Sequence, residues 1–200
     1  TLFVSSNPTG SKKIDSPDRR VAFFGGCTID FVFPETGESV FKVLQDLNME
    51  VLFPEGQSCC GKPVIAIGDV ETTKKIAREN IKALEEMNPD VIIAACPTCT
   101  ESLQHYAELL KEDAEWGPKA EAMAKKVREF CSFVAEEYAK RGRLTKSAGG
   151  PKVTYHDSCH MKRVLMIDKE PRQLLEAAGC ELVEMKDADK CCGMSGLFGV

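Results

Sequence analysis

Apolar residues fall along this chain in two alternating patterns: short unbroken runs, and longer stretches with a period of three to four. Val21-Ala22-Phe23-Phe24-Gly25 is a continuous apolar run, the mark of a strand buried on both faces of a parallel sheet. Residues 38–47 then place Val40, Phe41, Val43, Leu44 and Leu47 at helical spacing. Met49-Glu50-Val51-Leu52-Phe53 predicts a second strand, closed by Pro54-Glu55-Gly56. Residues 69–87 predict a long amphipathic helix with Asp69 as N-cap and Glu, Lys and Arg outward. A third strand is predicted over 90–95, a third helix over 100–111, and a fourth over 118–141, opened by Pro118 and stopped by Gly142. Strands alternating with helices predict an α/β fold with mainly parallel sheets.

After the turn-forming Ser147-Ala148-Gly149-Gly150-Pro151 the same plan restarts: strand 152–155, helix 170–178, strand 181–185. A shift of 132 residues aligns Val21 with Val153, Phe23 with Tyr155, Val51 with Val183, Phe53 with Met185 and Gly61 with Gly193. Two tandem copies of a Rossmann-like βαβ unit are the simplest reading. On it, residues 1–20, rich in Ser, Pro and Lys, form a linker from an upstream domain. Residues 21–146 form the first copy with a helical extension, and 147–200 a second, truncated copy.

Composition narrows the classes. The chain has 200 residues, 43% of them hydrophobic, enough for a real core. The formal charge of −5 and the lack of a Lys/Arg block leave no phosphate-neutralising footprint, so nucleic acid is not an expected partner. No apolar run approaches the ~20 residues that span a bilayer, and the given N-terminal residues lack a secretory pattern. A reducing, cytoplasmic setting is the expectation, and there cysteine clusters read as metal or redox chemistry.

There are ten cysteines. Cys27 is followed by Cys59-Cys60-Gly61 and then Cys96-Pro97-Thr98-Cys99; Cys159 and Cys191-Cys192-Gly193 repeat the opening at the same 132-residue shift. Each cysteine element of the first copy follows a predicted strand. In an open parallel sheet the loops after the strands' carboxyl ends share one edge, where such sheets bind ligands. Cys27, Cys59, Cys60, Cys96 and Cys99 are therefore expected to converge, with the N-terminus of a helix beside Cys96 and Cys99 to stabilise thiolates. A thiolate set without a partner group of histidines suits an iron–sulfur cluster or zinc. One C-x-x-C with a vicinal pair and a lone Cys fits the usual two-knuckle zinc site poorly. A vicinal Cys59–Cys60 disulfide is a third option. Cys159, Cys191 and Cys192 are half of a second such site. Beside them, His160 and Lys62 are candidates for tuning a cluster, against readings as a packed histidine and a solvated lysine.

The motif order resembles that of the cysteine-rich CCG domain family. All five cysteines of the first copy match the family's pattern, and Tyr155-His156-Asp157-Ser158-Cys159-His160 resembles its second copy. The stretch Phe53-Pro54-Glu55-Gly56-Gln57-Ser58-Cys59-Cys60-Gly61-Lys62-Pro63 looks most like the lactate and glycolate branch. The resemblance implies a [4Fe–4S] cluster, which has a noncubane form in one family member, the B subunit of heterodisulfide reductase. It implies an electron-transfer subunit of a 2-hydroxyacid dehydrogenase-type complex, receiving electrons from a flavoprotein partner and passing them to quinone or a carrier. It also implies a protein held at the membrane's inner face, if at all, only through partners. The alternatives are a disulfide reductase acting at a cluster iron and a structural zinc-binding interaction module; no catalytic residue is assigned.

The remaining candidates have ordinary readings. Cys131 reads as a core cysteine on the fourth helix, Cys180 as a turn residue, and His105 as surface. His156 and Asp157 read as helix-capping residues. Gly193, Gly196 and Gly199 do not make the dinucleotide fingerprint, so no NAD or flavin site is expected.

Overall fold

A computed structural model of the chain describes residues 14–193. Gly196, Gly199 and most of the 1–20 stretch expected as a linker lie outside the described residues. The chain divides into two compact units, one reaching to Phe130 and one beginning at Cys131.

The first unit is built on four parallel strands: β1 (Arg19–Phe24), β2 (Met49–Leu52), β3 (Val91–Ala94) and β4 (Val127–Glu129), in the order β2-β1-β3-β4. Helices α1 (Gly26–Phe31) and α2 (Pro34–Asp46) connect β1 to β2. Helices α3 (Lys62–Ala66) and α4 (Val70–Glu86) connect β2 to β3, and α5 (Pro97–Leu109) and α6 (Trp116–Ala124) connect β3 to β4.

The unbroken apolar run of β1 has the expected cause: Val21, Ala22, Phe23 and Phe24 are all fully buried, because both faces of the sheet are covered. Side chains alternate along a strand, so Ala22 and Phe24 enter one layer and Val21 and Phe23 the other. Ala22 and Phe24 join Ile92, Ala94 and Val127 beneath α4 (Ala77, Ile81, Leu84) and α5 (Leu103, Tyr106). Phe23 meets Phe41 of α2 edge-to-face at 5.7 Å and Phe53 at 6.2 Å. Asp69 caps α4 as its sequence position predicts, accepting from Thr72 N at 3.0 Å.

The single helix expected over 118–141 does not form. The segment is α6, then strand β4, then helix α7 (Phe130–Lys140). The edge of β3 wins the middle of it: Val127 pairs with Ile92 and Glu129 with Ala94, and Ile92 N donates to Lys126 O at 2.9 Å. Val127 and Glu129 point inward while Arg128 between them is half-buried, a period of two hidden inside a helical-looking stretch. Helical starts also precede their expected positions, at Pro34 and Pro97, where proline is suited to a first turn.

In the second unit, strands β5 (Lys152–Val153) and β6 (Glu181–Leu182) pair in parallel, with a π-helical turn (His160–Val164) and helix α8 (Glu170–Ala177) between them. Val153 stands opposite Leu182, whereas Val21 stands opposite Val51 in the first unit. The 132-residue alignment would set Val153 opposite Val183, so the pairing is one residue out of step. The difference begins in the turn: Gly150 N donates to Gly179 O, where the aligned Asp18 N donates to Asn48 O.

Candidate metal centre

The order β2-β1-β3-β4 means that the chain leaves β1 first to one side and later to the other. Between β1 and β3 lies the topological switch point, the place where an open parallel sheet forms a crevice at its carboxyl edge. Cys27 follows β1 and Cys96 follows β3, so they flank this crevice; Cys59 and Cys60 follow β2 next to it.

Contacts link the sulfurs in a run. The Cys59 thiol pairs with Cys60, Cys60 with Cys99, and Cys99 with Cys96, while Cys27 lies near enough to act electrostatically on Cys59. Gly26 brings the Cys27 loop against this run. Its φ of +65° is a left-handed conformation, and a Cβ there would lie 2.9 Å from the Cys99 Sγ, so only glycine lets the backbone pass the sulfur. Gly61, at φ +79°, likewise turns the chain from the vicinal pair into α3.

The electrostatics favour thiolates at alternate positions. Hydrogen bonds from Cys59 and then Cys99 hold Cys60 far below an ordinary thiol despite its burial, helped by the N–H of Lys62. Cys96 is lowered to about 6, first by the Cys99 thiol and then by the N–H groups of Cys99 and Thr98. These amides open α5, where the helix dipole adds its own positive end. Cys59 and Cys99 are pushed up because they supply the protons, each first through its bond to Cys60, and burial adds to this.

A polar network fixes the vicinal pair. Asn80 Oδ1 accepts from Ser58 N at 2.8 Å, and its Nδ2 donates to Cys59 O at 3.0 Å and to the Tyr106 hydroxyl at 3.1 Å. The Tyr106 hydroxyl in turn donates to Cys60 O at 2.9 Å. Gln57 ties this loop to the first: its Oε1 accepts from Gly25 N at 2.8 Å, and its Nε2 donates to Phe23 O. Sequence reasoning missed these positioning residues. Asn80 left a signal, being polar at an inward position of the α4 stripe; Gln57, in a turn, left none.

Among the described residues, no group of three or more His, Cys, Asp or Glu is arranged to hold a single metal ion. The thiols instead form an extended set of neighbours, all five uncrosslinked, so the Cys59–Cys60 disulfide option is not what this chain shows. Sulfur donors, amides aimed at them, and a glycine cradle against Cys99 fit a group larger than one ion, as an iron–sulfur cluster is.

Lys62 pairs with Glu101 at 2.7 Å, so its ammonium is a half-buried ion-pair partner beside the site. His105 is exposed and Cys131 and Cys180 are half-buried.

In the second unit, Cys159 is half-buried with its Sγ 3.7 Å from His160 Nδ1, and Cys191 and Cys192 are exposed. The helix-capping reading of His156 and Asp157 gives way to a different role: they lace the Cys159 segment to the loop before Cys191. His156 Nε2 bonds Lys190 O at 2.8 Å, and Asp157 N donates to Ala188 O at 2.8 Å. The buried Asp157 carboxylate takes Arg172 at 2.7 and 3.1 Å and Lys162 at 3.3 Å. A charge this deep needs such partners.

Fold and site together define a parallel α/β protein that gathers thiolates at the carboxyl edge of its sheet. The chain belongs to the cysteine-rich domain (CCG) family, whose profile matches residues 21–104 and again 153–200. It is 38% identical over 184 residues to a "probable glycolate oxidase iron-sulfur subunit" of Bacillus subtilis, covering 91% of this chain and 41% of that protein. It is 36% identical over 181 residues to "lactate utilization protein A" of an Exiguobacterium species, covering 90% of this chain and 73% of the relative. A "lactate utilization protein A 2" of Bacillus cereus is 36% identical over 183 residues, with 90% and 74% covered.

Proposed function

We propose that this chain is the iron–sulfur, electron-transfer part of a lactate- or glycolate-oxidising complex. The observation that carries the reading is the run of four sulfurs from two strand-end loops at the switch point, with Cys27 of a third loop beside it, in a chain whose relatives bear those names. Cys27, Cys59, Cys60, Cys96 and Cys99 would hold a [4Fe–4S] cluster, the type that the family resemblance implies. When bound, such a cluster supplies a site that takes up and releases one electron at a time.

The chain's own residues hold and bias that site. Amides of Gly61, Lys62, Thr98 and Cys99 point positive charge at the sulfurs. Asn80, Tyr106 and Gln57 keep the loops in place before any metal arrives, so little ordering is left for binding to impose. Oxidation of a 2-hydroxyacid releases two electrons, which a flavoprotein partner takes as a hydride; this subunit would pass them on singly to quinone or a carrier protein. Among the described residues no helix is long and apolar enough to cross a membrane. A cytoplasmic place, with any membrane contact made through partners, accords with that.

Cys159, Cys191 and Cys192 would be half of a second site, in a second copy spanning 147–200 after a first spanning 21–146. The test is anaerobic EPR of the full-length protein mixed with its flavoprotein partner. Lactate or glycolate should reduce the cluster; a signal unchanged by either acid contradicts the proposed role.

A further inference from the structure

Helix α5 carries Cys99, Ser102, Leu103 and Tyr106 on one buried stripe, at the i, i+3, i+4 and i+7 spacing of a single helix face. Both ends of this stripe touch the vicinal pair: the Cys99 thiol contacts the Cys60 sulfur, and Tyr106 bonds the Cys60 carbonyl. Ser102, between them, has the one buried side-chain oxygen or nitrogen without a partner among the described residues. Its residue is 6% exposed. A helical serine ordinarily returns its hydroxyl proton to the carbonyl one turn back, here that of Thr98. Ser102 does not, and its hydroxyl lies close enough to the sulfur of Cys60 to help hold that thiol low. An unpaired buried hydroxyl costs about 1–3 kcal/mol, so its place beside a sulfur calls for a reason.

We infer that Ser102 is a positioning residue for the redox centre: its hydroxyl donates a hydrogen bond to the Cys60 sulfur and thereby raises the centre's reduction potential. The inference rests on the iron–sulfur reading above. A donated hydrogen bond withdraws electron density from a thiolate ligand. It becomes more favourable as charge on the cluster grows, and so stabilises the reduced state. Cys60 already receives the Lys62 N–H. The Ser102 hydroxyl is a further donor, and a side-chain one that substitution can remove without altering the backbone.

The experiment is a redox titration, followed by EPR, of the full-length anaerobic protein and of Ser102→Ala, Ser102→Val and Ser102→Thr, each with its iron and sulfide content measured. Valine and threonine match in shape and differ in the hydroxyl, so this pair separates the hydrogen bond from packing. Ser102→Ala and Ser102→Val should shift the reduced-to-oxidised ratio at fixed poise roughly tenfold towards oxidised, which is about 59 mV for a one-electron couple. Ser102→Thr should stay near the unsubstituted protein. Iron-loaded Ser102→Ala or Ser102→Val titrating at the unsubstituted potential overturns the inference and leaves the iron–sulfur reading standing. Loss of iron from all three variants alike also overturns it, since the position would then serve packing alone. Absence of iron from the unsubstituted protein overturns the iron–sulfur reading itself, and the inference with it.

Discussion

Tyr106 donates a 2.9 Å hydrogen bond to the carbonyl oxygen of Cys60, a residue 46 positions earlier in the chain. Its hydroxyl is buried and also accepts from Asn80, so the vicinal pair is held from the core side by groups that never meet solvent. Burial pushes the Tyr106 phenol up, which keeps it protonated and able to donate at any physiological pH. Tyr106→Phe removes the donor and leaves the Cys60 carbonyl and one Asn80 N–H short of a partner. The expected loss is about 1–3 kcal/mol in chemical denaturation, with faster iron loss to a chelator. Asn80→Ala breaks four hydrogen bonds and should cost more.

Gly26 and Gly68 form a matched pair for testing the cradle at Cys99. Both have positive φ, +65° and +87°, but a Cβ on Gly68 would meet nothing within 4 Å. Alanine at either position should carry a left-handed backbone penalty of about 1–2 kcal/mol. Gly26→Ala alone also drives a methyl into the Cys99 sulfur. Iron content should fall in Gly26→Ala and hold in Gly68→Ala; equal iron in both would show that the close approach has no bearing on the site.

The thiols should differ in reactivity once iron is removed under reducing conditions. Cys96 is lowered to about 6, so it is mainly thiolate at pH 7 and becomes protonated as the pH falls through that value. Its alkylation by iodoacetamide, followed by mass spectrometry, should be near its plateau at pH 7.5 and drop below pH 6. Cys99, pushed upward as the proton donor to Cys60 and Cys96, should resist modification across that range. A Cys96 rate still climbing steeply between pH 8 and 9 would contradict the assignment.

Acid should loosen the second unit through Asp157. Arg172 first, and then Lys162, hold its carboxyl below the ordinary carboxylate range. A carboxyl lowered on folding contributes fully above its unfolded value, about 3.9, and loses that contribution as pH falls through the folded value. Asp157→Asn should cost about 2 kcal/mol near neutrality and flatten the loss of stability below pH 4. Thermal unfolding of both proteins between pH 2.5 and 7 checks this. Parallel pH profiles would mean that the pair is not a stabilising one.

Much of the site was legible in the chain because strand order turns spacing into position. The run from Val21 to Phe24 announces a strand covered on both faces, and a parallel sheet then brings Cys27, Cys59 and Cys96 to one edge. Strand β4 was not legible: Val127 and Glu129 alternate for only three residues between two helical patterns, and what fixes them is the free edge of β3. Nor do the partners of Asn80, Gln57 and Ser102 follow from periodicity, because each contact joins residues far apart in the chain or depends on which side of a turn faces inward. Asp157 shows the same limit. From sequence it reads as a cap, and only the return of Arg172 from α8 reveals a buried ion pair.

On the proposed function, Cys27, Cys59, Cys60, Cys96 and Cys99 together hold an iron–sulfur cluster. Anaerobic iron and acid-labile sulfide analysis with EPR on the full-length protein, beside its Cys60→Ala variant, tests it most directly. Iron and sulfide in equal amounts are expected, with an EPR signal that the variant loses or alters. Iron near zero, or zinc in its place with a colourless protein, would contradict it.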